Sequence, residues 1–249
     1  MNYTIQKQLN HRTIRAWKDK AVEADILNTL FDVANRTASS VGMQSYSIIR
    51  VTDPEKRDRI SKVCNQAYVK DVPELLIFLV DIFRNSQIAM EQGQSSPNKS
   101  TMDKFFQGFT DGAIACQNLV NAAESFGLGT VYFGSILNDP EVVIDVLGLP
   151  KLTFPVIGLG IGYPDEDPQL KPRMDIDLKV FENEYIIRDN YLKAIKEYDR
   201  EMKTYYDLRD VSKPLDEFSK QVVSFLGGDN PKRSRILDII EKQGFILKR

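Results

Sequence analysis

Histidine is nearly absent from this 249-residue chain, where His11 is the only one. That excludes metal centres built on several imidazoles, and it restricts any Ser–His or Cys–His nucleophile scheme to a single base. Cysteine is almost as scarce. Cys64 and Cys116 stand alone, in no CxxC or CxH spacing, so neither a disulfide framework nor a zinc site is indicated. The first ten residues hold no long apolar stretch, so no secretory signal is expected, and two unpaired thiols then fit a reducing cytoplasm. Long hydrophobic runs are missing as well. The longest clean run, Leu75 to Val80, has the length of a strand and falls far short of the roughly 20 residues of a membrane helix. Nor does one sign of charge dominate. With 33 basic and 35 acidic side chains the net charge is −2, which argues against a nucleic-acid binder that relies on phosphate neutralisation.

What is present is the composition of an ordinary folded domain, 42% hydrophobic and 27% charged, in a pattern that alternates helix and strand. Apolar residues at helical spacing predict a helix over 23–36, and a helix over 55–66 follows a β-branched strand over 46–52. Leu75 to Val80 lacks polar alternation and reads as a strand buried on both faces. The polar segment 84–104 is expected to be a surface excursion near a cleft, or simply mobile. From 103 to 126, Phe105, Phe109, Ala113, Cys116, Val120 and Ala123 define a long helix, stopped by Gly127 and Gly129. Gly108 and Gly112 suggest either close approach of another helix or tolerated small residues. Strands are expected over 130–133 and 153–162, with a helix over 140–149 between them. A charged helical region runs from Tyr185 through Tyr198, Met202 and Tyr205, and a last helix over 234–243 ends at Gly244. Taken alone, this alternation describes one α/β domain with an open parallel sheet and a helical extension that needs a docking partner.

Two glycine-rich stretches do not make dinucleotide loops. In Gly158-Leu159-Gly160-Ile161-Gly162 the third fingerprint glycine would fall at Tyr163, with Pro164 where a helix should open; Gly127-Leu128-Gly129 fails likewise at Tyr132. There is no GxxxxGK[ST] loop and no GxSxG elbow. The unusual features are cationic. Asn10-His11-Arg12-Thr13-Ile14-Arg15-Ala16-Trp17 places three potential cations and a hydroxyl within five positions, a set that either grips a phosphate or forms a solvated arm. Lys171 and Arg173 flank Pro172, which fixes the backbone between them. Small, hydroxyl and amide residues at 38–46 and 65–68 are ordinary loop compositions that could also line a planar ligand.

In order and spacing these segments resemble the flavin-dependent nitroreductase family, in its branch of oxygen-insensitive NADPH nitroreductases and NADPH–flavin oxidoreductases. The matching pieces are His11 to Arg15, the Ser39-Ser40 loop, Gln66 with Tyr68, Ala123 to Gly129, Tyr132 to Ile136, Gly158 to Pro164, Leu170 to Arg173 with Glu182-Asn183, and Lys242 to Phe245. The resemblance implies an α+β sandwich: a central, mainly antiparallel sheet flanked by helices. It implies a single FMN-binding domain over 1–249, whose helical extension, 185–249, wraps a partner in a homodimer with two FMN sites at the interface.

Position by position, the resemblance implies that His11, Arg12, Thr13 and Arg173 meet the FMN phosphate and ribityl chain. Arg15 and Lys171 would lie by the flavin N1/O2 edge, and Ser39, Gln66 and Tyr68 would touch the ring from one subunit or the other. Tyr132, Phe133, Gly134 and Ser135 would back it. Reduction places negative charge near N1, which a fixed cation favours. Hydride passes from nicotinamide to N5 and on to a second substrate, so no catalytic side chain is implied. Thr13 replaces the usual serine of the family and Ser135 a glycine. Where the branch carries an arginine-rich loop for the NADPH 2′-phosphate, this chain has only Arg209 and Lys213 among Asp207, Asp210 and Asp216, with Arg233 a further candidate. The expected activity is ping-pong reduction of nitroaromatics, quinones or free flavin by NADPH or NADH; the alternative is a flavin store or redox sensor with little turnover.

Overall fold

The run without polar alternation becomes the middle of the sheet. In the computed structural model, which describes residues 1–207, 212–228 and 230–247, all eight residues of β2 (Glu74–Asp81) are buried. Its two polar ends are each given a partner. Arg50 donates to both carboxylate oxygens of Glu74, at 2.6 and 2.7 Å, and Asp81 accepts from the Ser47 hydroxyl at 2.5 Å.

Among the described residues the helices are α1 (Tyr3–Leu9), α2 (Ala24–Asn35), α3 (Pro54–Cys64), α4 (Phe83–Glu91), α5 (Met102–Ser125), α6 (Pro140–Leu147), α7 (Tyr191–Ala194), α8 (Lys196–Met202), α9 (Phe218–Gly227) and α10 (Ile236–Lys242). The other strands are β1 (Tyr46–Arg50), β3 (Gly129–Phe133) and β4 (Thr153–Gly162), and the sheet order is β1-β2-β4-β3. Every pairing is antiparallel. Alternation of helix and strand suggests a parallel sheet only when each connection crosses over to a parallel neighbour, and none does so here. The β2–β4 register shifts between Phe78 and Leu79, where Pro155, which has no N–H to give, faces Leu79.

The chain gathers into two units, residues 1–166 with 230–249, and residues 167–229. In the first, α5 lies on the sheet and at 24 residues is about 36 Å long. Its buried stripe is Phe105, Gly108, Gly112, Ala115, Cys116, Leu119, Val120 and Ala123, while Ala113 is exposed. Gly108 does admit a close approach, but of the loop before β1 and not of a helix: a Cβ there would stand 2.6 Å from the Ser45 carbonyl oxygen. Phe105 meets Phe154 and Phe245 edge-on at 5.5 and 5.0 Å between ring centres. Phe245 is brought there by α10 and the turn at Gly244, whose φ is +93°. The Gln243 carbonyl accepts from the Leu152 N–H at 2.7 Å, and the Gln243 side chain donates to the carbonyls of Pro150 and Thr153, each at 3.0 Å.

The segment 84–104 lies mostly at the surface, as expected, and contains α4, which begins on the Asp81 carboxylate, the acceptor of the Arg84 N–H at 3.0 Å. One expectation from the sequence is corrected. The helical region after Tyr185 is not continuous, since α7 and α8 are short and the chain leaves helix before Tyr205. In the second unit, Tyr198 packs on Phe218 at 5.2 Å, and Asp199 accepts from both the N–H and the hydroxyl of Ser219. No helix among the described residues is long and apolar enough to cross a membrane.

Candidate functional site

The cationic segment 10–17 lies as an extended strap along the end of the sheet. Thr13 bridges Thr130 in parallel, and the Ile14 N–H donates to the Thr130 carbonyl at 2.9 Å. Farther on, Trp17 bridges Pro164, and the Lys18 N–H donates to the Tyr163 carbonyl at 2.9 Å. Two glycines let the strap come this close. A Cβ on Gly129 would stand 2.6 Å from Ile14, and one on Gly162 would stand 2.6 Å from both Trp17 and Pro73. Gly158 and Gly160 likewise make room for Phe133. The glycine repeat of β4 is thus a packing surface within a buried strand, in keeping with its failure as a nucleotide fingerprint.

Ile14 is buried, so the period of two in an extended segment puts Thr13 and Arg15 on the opposite side of the strap. Glu166 receives the N–H groups of Arg15 and Ala16, the latter at 3.2 Å. His11 is held by a second carboxylate: its Nδ1 lies 2.5 Å from Glu124 Oε1, which also accepts the Thr130 hydroxyl at 3.0 Å. Neither glutamate was singled out in the sequence, because 113 residues separate Glu124 from its partner and 151 separate Glu166 from Arg15.

An aromatic and amide cluster forms beside Trp17. The Tyr68 ring lies 6.3 Å from Trp17 and 6.0 Å from Phe133. The Ser135 hydroxyl donates to Gln66 Oε1 at 3.3 Å. Four expected site residues, Gln66, Tyr68, Phe133 and Ser135, are therefore gathered from two loops and a strand end. Tyr132 points to the other face of β3, where its hydroxyl donates to Gln117 Oε1 at 2.7 Å and burial pushes its phenol pKa up. Gly134 opens the 3₁₀ turn Gly134–Asn138 with open space where a side chain would be. Ser39 sits in a separate loop held to α5: the fully buried Asp111 accepts from the N–H groups of Ser40 and Ser45, at 2.8 and 3.2 Å. The Ser39 hydroxyl accepts from the Gln44 N–H at 3.2 Å.

The remaining cations lie in the second unit or at its borders. Lys171 Nζ is 5.9 Å from the centre of the Tyr205 ring, and the Arg173 guanidinium donates to the carbonyls of Lys171 and Pro172, at 3.1 and 3.2 Å. Lys213 is exposed. Arg233 opens the short 3₁₀ turn ahead of α10, its N–H on the Asn230 side chain at 3.2 Å. Arg209 and Asp210 lie outside the described residues. Neither thiol is poised to react, because burial pushes the pKa of both Cys64 and Cys116 up. No cluster of metal-ligating side chains occurs among the described residues.

A wholly antiparallel sheet under one long helix, with a cationic strap pinned along its end, defines an α+β sandwich with an anion-receptive rim. The chain belongs to the nitroreductase family: the family profile matches residues 9–163, and that of the nitroreductase family C-terminal domain matches 171–248. It is 34% identical over 248 residues to the FMN reductase (NADPH) of Bacillus subtilis, covering 98% of this chain and 99% of that relative. The crystal structure of nitroreductase A from Vibrio parahaemolyticus superposes with a TM-score of 0.87 at 36% identity, covering 100% of both chains. The structure of NADPH:FMN oxidoreductase from Vibrio harveyi, solved with NAD+, gives 0.86 at 33%, covering 99% of this chain and 100% of that one.

Proposed function

We propose that this chain is an FMN-dependent oxidoreductase that draws hydride from NADPH or NADH and delivers it to nitroaromatics, quinones or free flavin. The observation that carries the reading is the strap, which presents His11, Arg12 and Arg15 from an anchored, extended backbone in a chain related over nearly its full length to an NADPH-dependent FMN reductase. The donor set fits the cofactor. A phosphate monoester calls for guanidinium and imidazole donors, and a planar ring calls for aromatic and amide walls.

In this reading His11, Arg12, Thr13 and Arg173 hold the phosphate and ribityl chain. Arg15 and Lys171 lie at the N1/O2 edge, where a cation favours the reduced state. Ser39, Gln66, Tyr68, Phe133, Gly134 and Ser135 line the ring, and Tyr132, whose side chain faces α5, contributes only its main chain. Bound FMN supplies hydride acceptance and donation at N5, so the chain needs no nucleophile or general acid of its own. The whole chain acts as one functional FMN-binding domain in a cytoplasmic homodimer. Support for the dimer comes from the apolar surface of residues 167–229, where Ile187, Val223, Phe225 and Leu226 are 80, 74, 83 and 75% exposed.

The test is the colour of the purified protein and its anaerobic bleaching in a stopped-flow instrument. Yellow protein bleached by NADPH or NADH within seconds supports the enzyme; yellow protein unchanged by both nucleotides identifies a store. Steady-state rates with a quinone should give parallel double-reciprocal lines, and intersecting lines would defeat the single-site alternation. Arg209 and Lys213 are the candidate 2′-phosphate ligands, with Arg233 next. Because Asp207, Asp210 and Asp216 lower the local potential, kcat/KM should favour NADPH only modestly, and the double substitution of Arg209 and Lys213 to alanine should abolish that preference.

A further inference from the structure

Glu124 stands at an unexpected place for an acid. It occupies the last turn of α5, where the helix presents its negative end and where cations are the favoured side chains. Its side chain is only 11% exposed. One of its oxygens, Oε1, serves two groups, the Thr130 hydroxyl and His11 Nδ1. An ionised carboxylate only accepts, so at 2.5 Å the proton on this side of the imidazole resides on Nδ1. The His11 ring is 28% exposed, and among the described residues Nε2 takes no partner. The support is rigid. Thr130 is 1% exposed, and its carbonyl holds the strap through the Ile14 N–H.

We propose that Glu124 is a positioning residue that locks His11 with its Nδ1–H directed inward, so that Nε2 is the atom offered to an anionic ligand. A free imidazole favours the opposite tautomer, with the proton on Nε2. The lock has a chemical consequence. A phosphate oxygen at Nε2 is an acceptor, and only a ring protonated on both nitrogens can donate to it while still donating to Glu124. A neutral locked ring would instead accept at Nε2 from a protonated phosphate oxygen. The function of the lock rests on the assignment of His11 to the flavin phosphate made above.

Because the chain has a single histidine, one pair of imidazole nitrogen resonances reports the state without assignment. In the flavin-stripped, 15N-labelled full-length chain at about pH 9, the wild type should show the Nδ1–H tautomer. Glu124→Gln, whose amide oxygen still accepts, should keep it, and Glu124→Ala should return to Nε2–H. With FMN bound, the Nε2 resonance should shift while the proton on Nδ1 stays in place. Fluorimetric titration should show FMN bound roughly 10- to 100-fold more weakly by Glu124→Ala, taking the scale from the loss of a partner that orients a metal-ligating histidine, and Glu124→Gln should restore part of the loss. A wild-type spectrum with the proton on Nε2 would overturn the proposal, and it decides the matter even if Glu124→Ala does not fold. A Glu124-dependent lock combined with unchanged FMN affinity in His11→Ala would instead overturn the assignment of His11 to the phosphate, and the proposal with it.

Discussion

The cations of this protein rest on two kinds of support. In the first unit His11 and Arg15 sit on a strap whose backbone bonds to the ends of β3 and β4, and the carboxylates of Glu124 and Glu166 hold it from below. In the second unit Arg173 leans on the carbonyls of its own neighbours, and the helices around it are short and expose large apolar side chains. The first region is built like a frame that exists before any ligand arrives. The second buries only a few large apolar side chains, Ile195, Met202 and Tyr205 among them, and exposes others. An enzyme that must hold one cofactor while admitting a succession of substrates gains from this division.

The sharpest way to break the comparison is to remove a pillar from each side. Phe245→Ala should cost about 3–5 kcal/mol, because it empties a fully buried aromatic site at the end of α5. Phe225→Ala in α9 should change stability by less than about 0.5 kcal/mol at a dilution where the chain is monomeric. Sedimentation should show the second variant, not the first, shifted from dimer toward monomer. Equal losses in urea denaturation would erase the distinction. Next comes Gly129→Ala, which forces a methyl against Ile14 and should cost about 1–3 kcal/mol. Hydrogen exchange should show the loss concentrated at the Ile14 amide, and protection there equal to wild type would mean that the strap is not held as described.

An effect of similar size is expected from the looser support. With Arg173 on the FMN phosphate as proposed, Arg173→Ala should remove one charge-assisted contact, about 1.5–3 kcal/mol, and FMN should bind roughly tenfold to a hundredfold more weakly. An unchanged dissociation constant would take Arg173 out of the site. The smallest effect lies at the foot of the strap. A hydrogen bond from Tyr163, and then Lys20, hold the Glu23 carboxyl down to about 2 from its ordinary 4.5. A lowered folded-state pKa stabilises above the unfolded value, so this contribution is present above pH 4.5 and fades as pH falls toward 2. In Glu23→Gln the acid limb of the stability profile should flatten slightly over that window, and an unaltered limb would show that the contact is not maintained.

Much of this was legible in local pattern. Leu75 to Val80 announces a central strand because every position is apolar, and α5 announces itself by a stripe that recurs every three or four residues. Direction was not legible: nothing in β2 or β4 says that they run antiparallel, since that depends on which strand each finds. The α4 helix was hidden because its start signal, Asp81, closes a strand and caps a helix at once. At the site, His11, Arg12 and Arg15 stand out as neighbours in sequence. Glu124, Glu166 and Asp111 do not, for a carboxylate that accepts hydrogen bonds from across the fold has no local signature. The resemblance to a family supplied the sandwich that alternation alone had misread.

The burial of the two sulfurs has a consequence for what the protein survives. Quinones and reduced nitro compounds are electrophiles that add to thiolates, and an enzyme exposed to them throughout its working life is its own first target. Cys64 closes α3 beside Ser135 of the turn after β3, 3% exposed, and Cys116 lies within α5, 1% exposed, with burial keeping both in the unreactive thiol form. The molecule thus carries no thiol on its surface, and its products leave without a thiolate trap in their path.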